Sequence, residues 1–186
     1  MPGNLSSALI YIINAITTIV VFVFMLRFLL PLLRADFRNP IAQGLLRITS
    51  PVVVPVRRVV PSIGSIDTAT ILVAFAIQFL VTWLLQAMFA EAPRLDVLAF
   101  MTVIELAMIA IRIFIFAIIV SIVISWIAPG QYSPIAGLAA TIAEPVLRPF
   151  RRLIPPFGGF DISPIFAIIL LTALTIVVAG LRPFWI

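Results

Sequence analysis

The chain has 186 residues, 63% of them hydrophobic and only 10% charged, an apolar content well above that of soluble domains. Its net charge is +5, and all 12 basic residues are arginine. Because cysteine and histidine are absent, thiolate chemistry, disulfides and imidazole ligation of zinc or haem are excluded. The composition predicts an all-α membrane protein that is not an enzyme and has no cofactor, no metal site and no nucleic-acid partner.

Four apolar stretches are long enough to cross a bilayer, since about 20 helical residues span its core of about 30 Å. We therefore predict four transmembrane helices. They cover residues 5–33, 69–90, 97–128 and 164–181. Arg27 lies near the end of the first stretch, and we interpret it as an anchor at the membrane surface.

A segment rich in proline and arginine follows the first stretch. Pro51 and Pro55 lack backbone donors, so they are predicted to prevent one continuous helix. Residues 40–49 are typical of a short amphipathic helix on the membrane surface. The segment is therefore predicted to lie at the interface or to re-enter the bilayer, shielded by the four helices. Arg57 and Arg58 then have two interpretations, ordinary anchoring or bidentate binding of phosphate.

The two halves of the chain are related by a shift of 94 residues. Between residues 51–67 and 145–161, 8 of 17 positions are identical, against about one expected by chance. We predict two repeats, residues 1–93 and 94–186. Each consists of a span, a Pro/Arg segment and a span, and both enter the membrane in the same direction.

Two aspartates precede the second and fourth spans. Asp67 and Asp161 are predicted to cap these helices by accepting hydrogen bonds from free amides, with added pairing to the arginines of their own repeat. Ion coordination is the alternative. Gly64 and Gly158 are predicted to form the turns that lead into the caps.

Two charged residues lie inside the third span. Glu105 and Arg112 are seven residues apart, and hence on one face of a helix. Together with Arg27 they form the predicted set of intramembrane polar residues. A structural pairing of Glu105 with Arg112 is the first expectation, and a functional polar pathway is the second.

Arginines near span ends predict the orientation, because positive residues are retained on the cytoplasmic side. Eight arginines lie in the two long loops and two on the opposite side, so both loops are predicted to be cytoplasmic and both termini outside. The predicted partners are anionic phospholipids, other membrane proteins and further copies of the chain. The predicted binding residues are Arg57, Arg58, Arg148, Arg151 and Arg152.

Four motifs are spread over both halves. They are Asp36-Phe37-Arg38-Asn39-Pro40, the Pro/Arg pattern of residues 51–67, Ser125-Trp126, and the related pattern of residues 144–164. Together they resemble the YggT family of bacterial inner-membrane proteins, which has relatives in plastids. Family repeats often place an arginine four residues before Ser-Trp, where this chain has Ser121; Arg27 fills the corresponding position of the first half.

The resemblance implies a bacterial inner (plasma) membrane location and no assigned catalytic residues. It links the family to tolerance of osmotic stress, to cell-division functions and, in plastids, to haem attachment. The leading hypothesis is a non-enzymatic scaffold or assembly factor whose arginine segments dock anionic lipid or acidic regions of other membrane proteins. The alternative is a small oligomeric channel or transporter in osmotic or ion homeostasis.

Overall fold

The computed structural model describes residues 4–89, 94–128, 130, 133–154 and 161–182. Within these ranges the chain is helical, and its only extended pairing is an isolated bridge between Ile63 and Ile66. The helices are α1 (Asn4–Leu32), α2 (Pro40–Arg57), α3 (Thr68–Phe89), α4 (Leu95–Ile127), α5 (Pro134–Leu153) and α6 (Ser163–Ala179).

Among the described helices, α1, α3 and α4 are long and apolar enough to cross a membrane. They have 29, 22 and 33 residues, and at about 1.5 Å per residue each exceeds the core of a bilayer. α6 is also apolar but shorter, with 17 residues. The four predicted stretches therefore coincide with helices, of which three have the length of a membrane span.

α4 is the central helix, since it packs against α1, α3, α5 and α6. The core contains fully buried apolar side chains from several helices, such as Val21, Leu30 and Ile118. Many other large apolar side chains are exposed, including Ile16 and Ile169. Such a surface is compatible with a protein surrounded by lipid.

α2 and α5 are continuous helices, so the prediction that Pro51 and Pro55 prevent one is wrong. Pro51 and Pro55 lie inside α2, and Pro145 and Pro149 lie inside α5. All four are exposed, so each ring and the carbonyl that it leaves unpaired face away from the packed side of the helix. The buried side, which includes Val53 in α2, packs without interruption. The predicted surface helix of residues 40–49 therefore extends to Arg57.

The first turns of α2 and α5 meet. Asn39 accepts a hydrogen bond from the amide of Ile41 at 2.8 Å, which caps α2, and its Nδ2 donates to the carbonyl of Pro134 at 2.7 Å. Pro40 and Pro134 begin their helices, where a missing amide costs little. One buried asparagine thus joins the two proline-rich helices.

Candidate functional site: two arginine–aspartate clusters

The first cluster is built around Arg27, which is only 3% exposed. Its Nη1 donates to Thr49 Oγ1 at 2.6 Å, to Ser50 Oγ at 3.2 Å and to the carbonyl of Leu46 at 3.3 Å. The interpretation of Arg27 as a surface anchor is therefore wrong. Because α2 is continuous, it presents two hydroxyls and a carbonyl to α1, and these hold the guanidinium inside the protein.

Asp67 joins this arginine to the start of α3. Its Oδ2 accepts from Arg57 Nη2 and, at 2.7 Å, from Thr70 Oγ1, and Arg27 Nε lies 3.8 Å away. Its Oδ1 accepts from the amide of Thr70 at 3.3 Å, within the first turn of α3. Asp67 thus makes both the capping contact and the arginine pairing that the sequence suggested. Two guanidinium groups share one carboxylate, which leaves the first cluster with one excess positive charge.

A cavity of about 290 Å³ lies beside the first cluster. Arg27, Arg57 and Asp67 line it, together with the exposed residues Ser62 and Gly64. Gly64 has φ +60°, a left-handed conformation that favours glycine, in the turn leading to Asp67. The Nε atoms of both arginines are buried and have no hydrogen-bond partner among the described residues. Gly158, the counterpart of Gly64, lies outside the described residues.

The second cluster is centred on Arg151. Its Nε donates to Asp161 Oδ2 at 2.8 Å, and its Nη1 donates to Glu144 Oε2 at 2.8 Å. Asp161 Oδ1 accepts from the amide of Ser163 at 2.9 Å, at the start of α6. Here two carboxylates share one arginine, so the second cluster has one excess negative charge. Its aspartate is far more exposed than that of the first cluster, 39% for Asp161 against 7% for Asp67.

A second cavity, of about 650 Å³, lies beside this cluster and is lined by Arg151, Asp161 and Ser121. The shift of 94 residues pairs Ser121 with Arg27, and Glu144 with Ser50. The second repeat therefore has a serine where the first has the buried Arg27, and a glutamate where the first has Ser50. These two replacements reverse the sign of the excess charge.

The carboxyl of Asp161 lies outside the helices and has a shifted pKa. Burial favours its neutral form, but the hydrogen bonds donated by Arg151 and Ser163 outweigh this effect and lower the pKa below its usual range. Asp161 is therefore charged at neutral pH and available to hold Arg151.

The predicted binding residues fall into two groups. Arg57 and Arg151 are held by carboxylates of their own clusters. Arg58, Arg148 and Arg152 are exposed and form no ion pair or side-chain hydrogen bond within the part of the chain that the structure describes. The whole guanidinium group of each of these three is therefore free to meet an external ligand, whereas Arg57 and Arg151 are partly engaged by their carboxylates.

The predicted pairing of Glu105 with Arg112 is wrong. Glu105 pairs instead with Arg182, which follows the end of α6. Seven helical residues separate Glu105 and Arg112 by about 10 Å along α4, whereas the end of α6 brings Arg182 directly beside the carboxylate. Arg112 is exposed on α4 and has no hydrogen-bond or ion-pair partner in the described ranges.

A cavity of about 520 Å³ between α1, α3 and α4 was not predicted from the sequence. Polar side chains from all three helices line it, and Arg112 is not among them. They are Asn14, Thr18, Gln78, Thr82, Gln86 and Glu105. Those on one helix lie within about two turns of each other, but the sequence does not reveal that the three helices bring these residues together.

Other residues of the clusters were also missed. Thr49, Ser50 and Thr70 bear no charge, and only the packing of α1, α2 and α3 shows that they hold Arg27 and Asp67. The sequence spacing does indicate the contact of Glu144 with Arg151, because the two residues are seven positions apart and so lie on the same helical face.

Comparison with known proteins identifies the family. The model of the CCB3/YggT family matches residues 6–88 and again 100–182. An uncharacterized protein of Pseudomonas aeruginosa is 38% identical over 94% of this chain and 90% of its own length. The uncharacterized protein YggT of Escherichia coli K12 is 32% identical over 93% of this chain and 90% of its own length.

A plant relative matches a shorter part of the chain. The YlmG homolog protein 2 of Arabidopsis thaliana, described as chloroplastic, is 40% identical over 31% of this chain and 23% of its own length. No solved structure matches the chain significantly. The family match and the two bacterial relatives show that the chain belongs to the CCB3/YggT family.

Proposed function

We propose that the protein is a non-enzymatic scaffold or assembly factor of the bacterial inner membrane. In this proposal α1, α3, α4 and α6 are four transmembrane helices, arranged as two parallel repeats. The two family matches, 6–88 and 100–182, are themselves 94 residues apart, which supports the repeats. α6 reaches the length of a span when its apolar sequence is continued through Leu181.

The orientation follows from the arginines. Both long connections, which include α2 and α5, are cytoplasmic, and both termini are outside, because arginine-rich loops are retained in the cytoplasm. α2 and α5 then lie along the cytoplasmic surface of the membrane, with their arginine-bearing ends near the lipid headgroups.

The observation that carries this proposal is the exposure of Arg58, Arg148 and Arg152. Their neighbours Arg57 and Arg151 are held by aspartates, so the ends of α2 and α5 are fixed while these three guanidinium groups stay free of internal ion pairs among the described residues. Near anionic lipid each arginine contributes about 1 kcal/mol. At the cytoplasmic membrane surface, these exposed guanidinium groups dock anionic lipid or an acidic segment of another membrane protein.

Crosslinking in intact cells tests the proposal. The three exposed arginines are changed together to glutamate, and crosslinked partners and retained lipid are identified by mass spectrometry. Loss of specific partners with unchanged membrane insertion supports the scaffold. Arg94→Glu is the control, because Arg94 is exposed but lies on the opposite side in the proposed topology. Identical partners and lipid in the wild type and the triple variant would contradict the proposal.

A small oligomeric channel or transporter is the second candidate, and the polar cavity favours it. Gln78 Nε2 donates to Thr82 Oγ1 at 3.3 Å, and among the described residues the one partner of Gln86 Nε2 is the Met101 sulfur, at 4.0 Å. Amide groups placed between membrane helices need further polar partners. Water or a small polar solute would supply them.

Flux through purified protein in liposomes under an osmotic gradient distinguishes the two functions. Gln86→Leu is the test variant, because Gln86 lines the polar cavity. Arg112→Ala is the companion variant, since Arg112 lies outside that lining. A flux that Gln86→Leu reduces and Arg112→Ala leaves unchanged would favour a transporter that uses this cavity. A wild-type flux equal to that of empty liposomes would rule the cavity out as a pathway.

A further inference from the structure

We propose that the cavity beside Arg27 binds one phosphate group, in particular the phosphodiester of an anionic phospholipid. The inference rests on the proposed function where it places this cavity at the cytoplasmic membrane surface, and it names a specific ligand there. It concerns a different site from the exposed surface of Arg58, Arg148 and Arg152.

The first cluster has one excess positive charge, which a bound anion would neutralise. Arg27 and Arg57 share a single carboxylate, and Arg27 is almost fully buried. One carboxylate only partly compensates two guanidinium groups, and this is unfavourable where one of them is buried. Asp67 already accepts hydrogen bonds at both oxygens from Thr70 and Arg57. One further negative charge, as on a phosphodiester, would neutralise the cluster.

Two hydrogen-bond donors of the first cluster also lack acceptors among the described residues. The Nε atoms of Arg27 and Arg57 are buried without hydrogen-bond partners in the described part of the chain. Both arginines line the same cavity. The guanidinium of Arg27 is held in place by Thr49 and Ser50, so its orientation is fixed before a ligand enters. Fixed guanidinium groups are suited to the paired oxygens of phosphate.

The cavity is accessible from one side. Arg57 is 40% exposed, and the turn that contains Ser62, Gly64 and Ser65 is exposed and lines the same cavity. The serine side chains add hydroxyl donors beside the arginines. Phe37 and Pro31 line it as well, so its wall is partly apolar, as suits the start of the acyl chains of a lipid.

The second repeat provides an internal control. Its cavity is lined by Ser121 in place of Arg27, and Glu144 is bound to Arg151. Because this cluster has an excess negative charge, it should repel the same anion. The two cavities of one chain therefore differ in the property that the proposal requires.

Native mass spectrometry of the protein in a neutral detergent tests the inference. The probes are phosphatidylglycerol, phosphatidylcholine and inorganic phosphate, and the thermal midpoint is measured in parallel. We expect one tightly held phosphatidylglycerol per wild-type chain. Arg27→Gln, which can still bond to Thr49, should weaken this binding about tenfold or more. The triple change of Arg58, Arg148 and Arg152 to glutamine should remove loosely held lipid and leave the tight one.

A gain-of-function variant covers the case in which Arg27→Gln does not fold. Ser121→Arg combined with Glu144→Ser gives the second cavity the charges of the first, and a second tightly held phosphatidylglycerol is expected. Stabilisation by inorganic phosphate alone, lost in Arg27→Gln, would support a phosphate site whose ligand is the free ion.

Three results would overturn the inference. One is unchanged lipid and phosphate binding in folded Arg27→Gln, and another is no second lipid in the converted cavity. Loss of the tight lipid in the triple glutamine variant would assign it to the exposed surface and would also overturn the inference. The scaffold proposal is judged by crosslinked partners, so the two can fail separately.

Discussion

Arg27 Nε lies 3.8 Å from Asp67 Oδ2, and both side chains are at least nine-tenths buried. The pair connects the end of α1 to the start of α3, and Arg27 also holds α2 through Thr49. Arg151 and Asp161 occupy the corresponding region of the second half but are substantially exposed. The two pairs should therefore contribute differently to stability.

Replacing Asp67 should be far more harmful than replacing Asp161. Asp67→Asn leaves the buried Arg27 without its counter-charge, which costs about 3 to 5 kcal/mol for a buried pair. Asp161→Asn breaks an exposed pair worth about 1 kcal/mol or less. Unfolding of each variant in mild detergent, followed by circular dichroism, measures the difference. Equal losses of stability would show that Arg27 does not depend on Asp67.

The hydroxyl of Thr49 should matter because it is buried and accepts from a charged donor. Thr49→Val removes the acceptor for Arg27 Nη1 and should destabilise the protein by about 1 to 3 kcal/mol. Thr141→Val is the matched control, since within the described part of the chain the Thr141 hydroxyl bonds only to the carbonyl of Gly137, one turn earlier in α5. The same unfolding measurement applies. A cost for Thr141→Val as large as that for Thr49→Val would argue against a specific role of the arginine contact.

The positions of the four apolar helices could be predicted from the sequence, but the extent of α2, the existence of α5 and the contacts between helices could not. Apolar stretches of sufficient length identify α1, α3, α4 and α6, because length and hydropathy are local properties. The sequence predicted that Asp161 pairs with arginines of its own repeat, and the structure identifies Arg151 as the partner. The burial of Arg27 depends on hydroxyls of α2 that are 22 and 23 residues away, and no local pattern indicates them.

The prediction from the prolines of α2 was wrong because the low helix propensity of proline is a local property. It does not include the contacts that α2 makes with neighbouring helices. Proline disfavours a helix interior by about 3 kcal/mol relative to alanine, yet α2 is held by α1, α3 and α5.

Because Pro51 and Pro55 are exposed, their replacement by alanine should raise the thermal midpoint and restore backbone hydrogen bonds. Pro40→Ala, at the first position of the helix, should have little effect. A lower midpoint for Pro51→Ala and Pro55→Ala would mean that the prolines shape a required bend.

The contact between α5 and α6 should weaken in acid. The pKa of Asp161 is lowered in the folded protein, so the charged carboxylate contributes stability above the pKa of the unfolded chain, about 4, and loses it as the pH falls through the lower folded value. Thermal midpoints measured from pH 7 down to pH 3 should therefore fall more steeply in the wild type than in Asp161→Asn. Parallel curves for the two proteins would show that Asp161 does not contribute to the acid response.

Arg112 should be an unfavourable residue in the isolated protein. It is exposed near the middle of α4, shares a face with the exposed apolar residues Phe116 and Ile119, and has no partner among the described residues. An arginine at the centre of a membrane helix costs about 2.5 to 3.5 kcal/mol on insertion scales. Arg112→Leu should therefore raise insertion efficiency and thermal stability, with Ile119→Leu as a neutral control on the same face. Reduced stability would instead mean that Arg112 reaches a polar partner, such as an acidic side chain of another membrane helix, and crosslinking from this position would then identify it.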